Sequence, residues 1–398
     1  MADNRLVEFP VKLIGFLILA GSVLCTISAE DKLVTAKTPR LLVDYGSRAA
    51  LSPDGRFVAA IDRNDPVVFV EALSATGAHQ RRRLLLPDTG HDTSFYRPSF
   101  SPNGSQVAIL CHYTSPDEKE HALLAVCDAT SGRLVVKMEL PESSPYMCPV
   151  RFSATGDAVF VGARNRVYRC DVSRGEVLPL GGDIYYVWDV ADRPGLDQLA
   201  YVLRGHDLEV HLWSLSKKSE LPIPLGKEIA DRLTRICDER FEKKNPRLMV
   251  VSCDFSSDGS ELAVAVNPFT KGGHVFILRM DMKKNELIST VVLSERETTF
   301  VRYVGDTKTL IVGCGFWYNT NAGLYIIEEG DTECGKEDWL PLAIDPDSGS
   351  DPKSWAIDTE LGGGFLVATN GGQIWRWERA DLPETWKSLF KGDQKPTK

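Results

Sequence analysis

The stretch "LSPDGRFVAAID" (Leu51–Asp62) joins a tight-turn signal to a nearly unbroken apolar run. Proline presets φ at the start of the turn, aspartate bonds to nearby amides, and glycine accepts a positive φ. Similar stretches recur further along the chain: "FSPNGSQVAIL" (Phe100–Leu110), "FSATGDAVFVGA" (Phe152–Ala163) and "FSSDGSELAVAV" (Phe255–Val266). The sequence therefore predicts the same β-hairpin several times in one chain.

The spacing of these turns indicates seven repeats. Their glycines, Gly55, Gly104, Gly156 and Gly259, are 49, 52 and 103 residues apart. Because the last spacing is about twice the others, a degenerate copy of the repeat is expected between Gly156 and Gly259. The remaining copies are "DVADRPGLDQLAYVL" (Asp189–Leu203), "FVRYVGDTKTLIVGC" (Phe300–Cys314) and "WAIDTELGGGFLVAT" (Trp355–Thr369). A period near 50 residues is typical of propellers and other repeat architectures.

The apolar run after each turn predicts a strand that is buried on both faces, since a strand with one wet face would alternate. Each unit then offers a third strand, such as "VVFVEAL" (Val67–Leu73), and most offer a more polar fourth, such as "LVVKMELP" (Leu134–Pro141). Four antiparallel strands repeated seven times predict an all-β fold. We expect a seven-bladed β-propeller of four-stranded antiparallel blades over residues 38–391.

The repeats resemble WD repeats and the related Tol-type propeller repeats. "TGHDTSFYRPSFSPNGSQVAI" (Thr89–Ile109) places Gly-His at that family's distance before the first strand. The Trp-Asp dipeptide is absent from the end of the third strand, and Trp188-Asp189 falls in a first strand instead. At the end of the third strand, where the family has Trp-Asp, this chain has Cys127-Asp128, Cys170-Asp171 and Met280-Asp281. The resemblance therefore implies a divergent WD-repeat-like propeller.

Two segments compete to complete the last blade. The N-terminal "RLLVD" (Arg40–Asp44) is favoured slightly over "TWKSLFK" (Thr385–Lys391). Between the repeats, "GKEIADRLTRICDERFEKKNP" (Gly226–Pro246) has apolar residues at helical spacing. It predicts a helical insertion over residues 227–246 that rests on one mouth of the ring, with partner docking as the alternative. Residues 392–398 are expected to form a disordered tail.

The N-terminus has the order of a secretory signal. Arg5 and Lys12 precede the uncharged Leu13–Ala29, and Ile27 and Ala29 fit the −3 and −1 positions of a cleavage site. We expect residues 1–29 to be a signal peptide and the protein to be secreted or periplasmic. The alternative is a retained N-terminal membrane anchor, although seventeen uncharged residues only reach the lower edge of a membrane span.

The charge balance argues against nucleic acid as a partner. The 398-residue chain carries a net charge of −9, and its dense basic run, Arg81–Arg83, is interpreted as a solvated strand or loop edge. The nine cysteines include no CxxC pair. We favour structural free thiols in repeat slots over disulfides.

Two weak metal patterns are present. "DPDSGSD" contains Asp345, Asp347 and Asp351, oxygen ligands that suit calcium, but an acidic surface turn is the favoured interpretation. "HDLEVH" places Asp207, Glu209 and His211 on one side of a strand, where a solvated strand is again favoured. No catalytic signature appears, so we expect no cofactor beyond this possible calcium.

These observations favour a non-catalytic, extracytoplasmic propeller that acts as a protein-binding scaffold through one loop-rich face. The alternative is a propeller hydrolase of the lactonase or esterase type, with a metal or an acid–base pair in the central funnel. A third possibility is a module of a larger assembly, docked through Lys227–Pro246. Membrane contact is expected only if the N-terminal segment is retained.

Overall fold

A computed structural model gives the fold of the chain. It describes residues 40–43, 46–53, 56–62, 67–72, 80–87, 91–141, 149–164, 166–181, 186–203, 208–241, 246–268, 274–293, 298–314, 323–334, 339–341, 359–362, 365–370, 373–387 and 389. Residues 1–29 and 392–398, for which a signal and a tail are predicted, lie outside the described residues.

The first half of the chain forms three antiparallel sheets in chain order. Blade 1 consists of β2 (Gly46–Leu51), β3 (Phe57–Asp62), β4 (Val68–Ala72) and β5 (Gln80–Arg83), after the short strand β1 (Arg40–Val43). Blade 2 consists of β6 (His91–Phe95), β7 (Ser99–Phe100), β8 (Gln106–Thr114), β9 (Glu120–Asp128) and β10 (Leu134–Leu140). Blade 3 consists of β11 (Val150–Phe152), β12 (Ala158–Gly162), β13 (Val167–Asp171) and β14 (Glu176–Leu180). In blade 2, β6 and β7 both pair with β8, so together they form an interrupted first strand.

The second half repeats this arrangement. Blade 4 consists of β15 (Val187–Asp192), β16 (Gln198–Leu203), β17 (Glu209–Ser214) and β18 (Ser219–Pro224). Blade 5 consists of β19 (Leu248–Phe255), β20 (Glu261–Pro268), β21 (Val275–Asp281) and β22 (Glu286–Leu293), with β26 (Glu333–Cys334) added at its outer edge. Blade 6 consists of β23 (Thr298–Tyr303), β24 (Leu310–Cys314), β25 (Gly323–Ile327) and β27 (Trp339–Pro341).

The structure describes six blades together with their side-chain packing. This is one blade fewer than the seven that the repeat predicts. A further sheet, made of β28 (Thr359–Gly362), β29 (Phe365–Asn370), β30 (Gln373–Glu378) and β1, is described mainly by its backbone pairing. The sequence of its first hairpin, "LGGGF" (Leu361–Phe365), lacks the serine-opened turn that marks the best copies. In its described ranges the chain is an all-β propeller of four-stranded antiparallel blades with one long helix.

The serine that opens each repeated turn explains the recurrence of the motif. Its hydroxyl oxygen accepts the backbone N–H five residues later and closes the hairpin. The bond is 2.9 Å from Phe57 to Ser52, 3.0 Å from Gln106 to Ser101, 3.1 Å from Ala158 to Ser153 and 2.9 Å from Glu261 to Ser256. Gly104, Gly156 and Gly259 have φ values of 69°, 78° and 65°, as the turn requires. Gly55 lies outside the described residues.

A second kind of turn, between the third and fourth strands, explains the recurring Cys-Asp and Met-Asp dipeptides. The Oδ1 atom of Asp128 accepts the backbone N–H groups of Thr130 and Ser131, and Asp171 and Asp281 form equivalent bonds. The residue before each aspartate is buried, as expected at the end of a third strand. Aspartate in this slot therefore stabilises the turn between the third and fourth strands.

The second strands are buried on both faces, as their sequences predict. Every residue of β12 and β24 is buried, and β20 is buried from Leu262 to Pro268. First strands of consecutive blades contact one another around the ring, for example β15 with β19 and β19 with β23. The second strands thus lie between neighbouring blades, which is how an antiparallel protein can cover both faces of a strand.

The N-terminal strand pairs as predicted. Strand β1 is antiparallel to β30, with Arg40 opposite Arg376. Of the competing C-terminal segment, residues 385–387 lie in the short helix α2 (Glu384–Lys387) instead, and Trp386 is buried with Trp377 and residues of blade 6. The prediction that the N-terminal strand completes the last sheet is therefore confirmed.

The long helix α1 (Gly226–Phe241) connects β18 to β19. Leu233 and Cys237 are buried in the core cluster shared by blades 4 and 5, while Glu228, Asp231 and Arg232 are exposed. Since α1 joins a fourth strand to the next first strand, it lies at the end of the ring opposite the serine-opened turns. None of the helices in the described ranges has the length and hydrophobicity of a membrane span.

Candidate functional site

The serine-opened turns gather around one mouth of the ring, which we call the turn mouth. Neighbouring turns contact each other closely: Arg193 Nε donates a 2.8 Å hydrogen bond to the carbonyl of Gly259. A Cβ at Gly259 would lie 2.8 Å from the carbonyl oxygen of Pro194. The turns of blades 4 and 5 are therefore packed together.

A cavity of about 320 Å³ opens at this mouth. It is lined by residues at the ends of the first strands, including Ala50, Ser99, Arg151, Asp254 and Arg302. Arg97 and Tyr303 also contribute to its wall. The lining contains three arginines and one aspartate, so its side chains carry a net positive charge.

Four charged side chains connect the first strands of blades 3 to 6; we call them the ion network. Arg151 Nη1 lies 3.0 Å from Asp254 Oδ1, and its Nε lies 3.9 Å from Asp189 Oδ1. Arg302 Nη1 donates to Asp189 Oδ2 at 3.1 Å. Ser252 joins the network, since its hydroxyl donates to Asp189 Oδ2 at 2.6 Å and accepts from Arg302.

The ion network holds its members in their charged forms. Burial opposes the ionisation of Asp189, but the positive charges of Arg302 and Arg151 outweigh it and lower the pKa of the carboxyl group. Burial also opposes the charge of Arg151, yet the carboxylates of Asp189 and Asp254 raise the pKa of its guanidinium. Because the charges are paired and hydrogen-bonded, burying them is tolerable.

Sequence reasoning missed this network, although a signal was available. Arg151, Asp254 and Arg302 each stand two residues before the residue that opens the turn, in otherwise apolar first strands. The same position holds Ala50 and Ser99 in blades 1 and 2, and all five line the cavity. An alignment of the repeats by their turns therefore identifies one position that faces the channel in every blade compared. That position is charged in three repeats, as Arg151, Asp254 and Arg302.

In the sequence, Asp189 stands out only as part of a Trp-Asp dipeptide in a first strand. It is the hub of the ion network, and it is 5% exposed. Its backbone position, on the inner strand β15, is what brings its carboxylate to the arginines of two other blades. The dipeptide is thus unrelated to the repeat signature that its letters suggest.

Of the residues predicted to bind a metal ion, the structure describes only Glu209 and His211. Asp345, Asp347, Asp351 and Asp207 lie outside the described residues. Glu209 and His211 lie on β17, with 3.8 Å between His211 Nε2 and Glu209 Oε2, and His211 Nδ1 contacts Glu220 on β18. The ring of His211 stacks on Tyr201 at a centroid distance of 5.0 Å. Among the described residues, no three His, Cys, Asp or Glu side chains form a group suited to a metal ion.

The cysteines and the basic run occupy structural positions. The seven cysteines in the described ranges are free thiols, six of them buried. Burial raises the pKa of Cys127 and of Cys170 to about 12, which suppresses their thiolate forms. Arg81–Arg83 lie exposed on the outer strand β5, as the solvated-edge interpretation expects.

Comparison with known proteins identifies the fold. No family model and no curated protein sequence matches the chain. Among solved structures, a chain from a crystal structure of the mitotic checkpoint complex is similar, with 15% sequence identity and a TM-score of 0.58. The match covers 92% of this chain and 98% of the other. This likeness supports a β-propeller as the fold of the chain.

Proposed function

We propose that this chain is a non-catalytic, extracytoplasmic scaffold that binds a partner protein at the turn mouth. The observation that supports this proposal is the arginine-lined cavity at the mouth of the ring. A volume of about 320 Å³ is too small for a folded partner but suits one or two inserted side chains. We infer that an acidic side chain or a chain terminus of the partner enters it, since arginine recognises carboxylates well.

The fold supports a scaffold role. WD40-type propellers are commonly protein-interaction scaffolds, and the similar chain belongs to a protein complex. The ion network braces blades 3 to 6 from inside, so the turns around the mouth are presented on a stiff frame. A binding surface that needs no ordering loses less entropy on association.

We further propose that the sheet containing β28, β29, β30 and β1 is a seventh blade. Its strand β28 contacts β2 of blade 1, and Trp377 of β30 is buried in a cluster with residues of blade 6. These contacts on both sides support its place between blades 6 and 1. Pairing of the first and last segments of the repeat region would then close the ring.

The alternative hydrolase has less support from the cavity. In the described part of the chain, the carboxylate that lines it, Asp254, contacts Arg151 and accepts a 2.8 Å hydrogen bond from the backbone of Tyr303. The carboxylate behind it, Asp189, has a lowered pKa. A general acid needs a raised pKa, so Asp189 is not tuned for that role.

The scaffold proposal is tested by comparative capture of partners. The mature chain and its Arg97→Glu variant are immobilised and exposed to an extracytoplasmic fraction, and retained proteins are compared by mass spectrometry. Charge reversal at the mouth should abolish retention of at least one specific partner. Lys227→Glu in α1, at the opposite end of the ring, is the matched control and should retain it.

Two results would contradict the proposal. Repeated captures without any specific partner would remove the scaffold function. A partner retained equally by wild type and Arg97→Glu would move the binding site away from the turn mouth. Thermal unfolding of both variants establishes that the ring is intact.

The extracytoplasmic location and the possible calcium site are tested separately. If residues 1–29 are a cleaved signal, the mature protein isolated from its native source should begin at Glu30. An uncleaved protein in the membrane fraction would support the anchor instead. Calcium binding by Asp345, Asp347 and Asp351 predicts that titration with calcium raises the melting temperature of wild type but not of an Asp347→Asn variant.

A further inference from the structure

The outer strands of the blades are open edges, and most carry a feature that blocks further pairing. Prolines, which cannot donate to a ladder, occur at Pro179 in β14, Pro222 and Pro224 in β18 and Pro341 in β27. In blade 5 the edge of β22 is covered by β26, which runs parallel to it. Such features prevent unwanted strand addition.

Strand β10 of blade 2 lacks both kinds of protection. It has seven residues, Leu134–Leu140, and no proline. In the described ranges it pairs with β9 on one side and with no strand on the other. Leu134 and Val135 at its start are 37% and 49% exposed, although both are apolar. An unpaired edge of this length that starts with two exposed apolar residues is a template for another strand.

The surroundings of this edge are basic in a chain whose net charge is −9. Blade 1 is joined to the start of β10 by a 2.9 Å hydrogen bond from the backbone N–H of Leu85 to the carbonyl of Gly132. The exposed residues Arg83, Leu85, Arg133, Leu134, Val135 and Lys137 make up this surface, which we call the basic rim. On β10 itself the exposed charges are Lys137 and Glu139, and Arg133 stands just before the strand.

The chain itself contains an example of strand addition at an outer edge. Strand β26 pairs with β22 by placing Glu333 opposite Val292 and Cys334 opposite Leu293. The backbone N–H of Val292 donates to the carbonyl of Thr332 at 3.2 Å. The outer edge of a blade can therefore accept a short segment that carries an acidic residue.

We propose that β10 binds an extended, acidic segment of a partner protein by adding it as a fifth strand to blade 2. Backbone hydrogen bonds along the free edge would supply affinity that does not depend on sequence. The carboxylates of the added segment would face Arg83, Arg133 and Lys137, while the apolar side chains on its other face would lie beside Leu134. Electrostatic complementarity selects an acidic segment over a basic one.

The test uses the full chain and two synthetic peptides. One peptide alternates glutamate and valine, and its matched control alternates lysine and valine. Binding is measured by fluorescence anisotropy, and the bound site is located by hydrogen–deuterium exchange of the backbone amides. The glutamate peptide should bind and slow exchange in Leu134–Leu140, whereas the lysine peptide should do neither.

Variants separate this site from the turn mouth. Charge reversal in Arg133→Glu/Lys137→Glu should lower the affinity for the glutamate peptide at least tenfold, which corresponds to about 1.4 kcal/mol of binding free energy. Lys227→Glu/Arg232→Glu on α1 changes the net charge equally and should leave the affinity unchanged. Arg97→Glu should also bind the peptide normally, so a failed scaffold proposal and a failed edge proposal are distinguishable.

Several outcomes would overturn the edge site. They are the absence of binding at millimolar glutamate peptide, protection of amides elsewhere but not in β10, and equal binding of the lysine peptide. An affinity unaffected by Arg133→Glu/Lys137→Glu would also overturn it.

Discussion

Arg302 and Asp189 are joined by a 3.1 Å hydrogen-bonded ion pair, although they are 113 residues apart and belong to blades 6 and 4. Blade 5 lies between these two blades in the ring, and its Ser252 bonds to both side chains. The pair therefore crosses the inner channel and couples blades that are not neighbours. Its loss should affect the whole ring and not a single hairpin.

We expect Arg302→Met to lower the free energy of unfolding by about 3 kcal/mol, because it removes a main partner of a buried carboxylate. The double variant Arg302→Met/Asp189→Leu should recover part of this loss, since no charge of the pair is left unpaired. Urea denaturation of the wild type, both single variants and the double variant gives the coupling energy.

Arg133→Met is the control for this cycle. Arg133 is an exposed arginine on the outside of blade 2, so its loss should change stability by no more than about 0.5 kcal/mol. If Arg302→Met were equally mild, the ion network would not brace the ring.

The contact between turns gives a second prediction. Gly259 and Gly195 have similar positive φ values, 65° and 70°, but only Gly259 has a neighbour where a Cβ would be placed. Gly195→Ala should cost about 1 kcal/mol for the left-handed backbone. Gly259→Ala should cost clearly more, because its Cβ would lie 2.8 Å from the carbonyl oxygen of Pro194.

Chemical denaturation of the two alanine variants measures the difference. Equal losses would mean that the turns of blades 4 and 5 move apart without a penalty. A larger loss at Gly259 would show that neighbouring turns are packed rigidly around the mouth.

The repeats were predictable because their signals are local. The serine-opened turn and the doubly buried second strand each follow from five or six consecutive residues, and Ser153 and β12 show both. The pairing of β1 with β30 is less local: the sequence offers two segments for this place and favours the N-terminal one only slightly. The ion network could not be found within one repeat, because Asp189 has partners in three other blades.

The edge of β10 shows a similar limit. Its sequence predicts an outer strand, but its exposed and basic character depends on Arg83 and Leu85 of the preceding blade. The pattern of Glu209 and His211 shows a different limit, because spacing along one strand does not reveal contacts with the next strand. Glu209 and His211 do lie together on β17 as their spacing predicts, yet the imidazole of His211 is engaged by Glu220 and stacked on Tyr201.

Asp192 gives a prediction on pH. Burial raises its pKa to about 6, while its Oδ2 accepts a 2.7 Å hydrogen bond from the backbone N–H of Ala154 in the neighbouring blade. The folded state therefore holds the proton more tightly than the unfolded state, whose pKa is about 3.9. The resulting stabilisation is present below pH 4 and is lost as the pH rises through about 6.

Asp192→Asn keeps the acceptor for Ala154 and removes the titration. The variant should be more stable than the wild type by about 1 kcal/mol at pH 7, after allowance for solvent screening, and equally stable near pH 4. Thermal or urea unfolding at both pH values measures this. A variant that is less stable at pH 7, or that differs equally at both pH values, would contradict the assignment.

The buried thiols give the last prediction. Because burial raises the pKa of Cys127 and Cys170 to about 12, hardly any thiolate exists at these positions at pH 8, and the side chains are also inaccessible. Iodoacetamide should leave both cysteines unmodified in the native protein, while the half-buried Cys334 reacts first among the described cysteines. All should react after unfolding in guanidinium chloride, as peptide mass spectrometry would show. Rapid native labelling of Cys127 or Cys170 would mean that the third strands open to solvent, which contradicts their position between neighbouring blades.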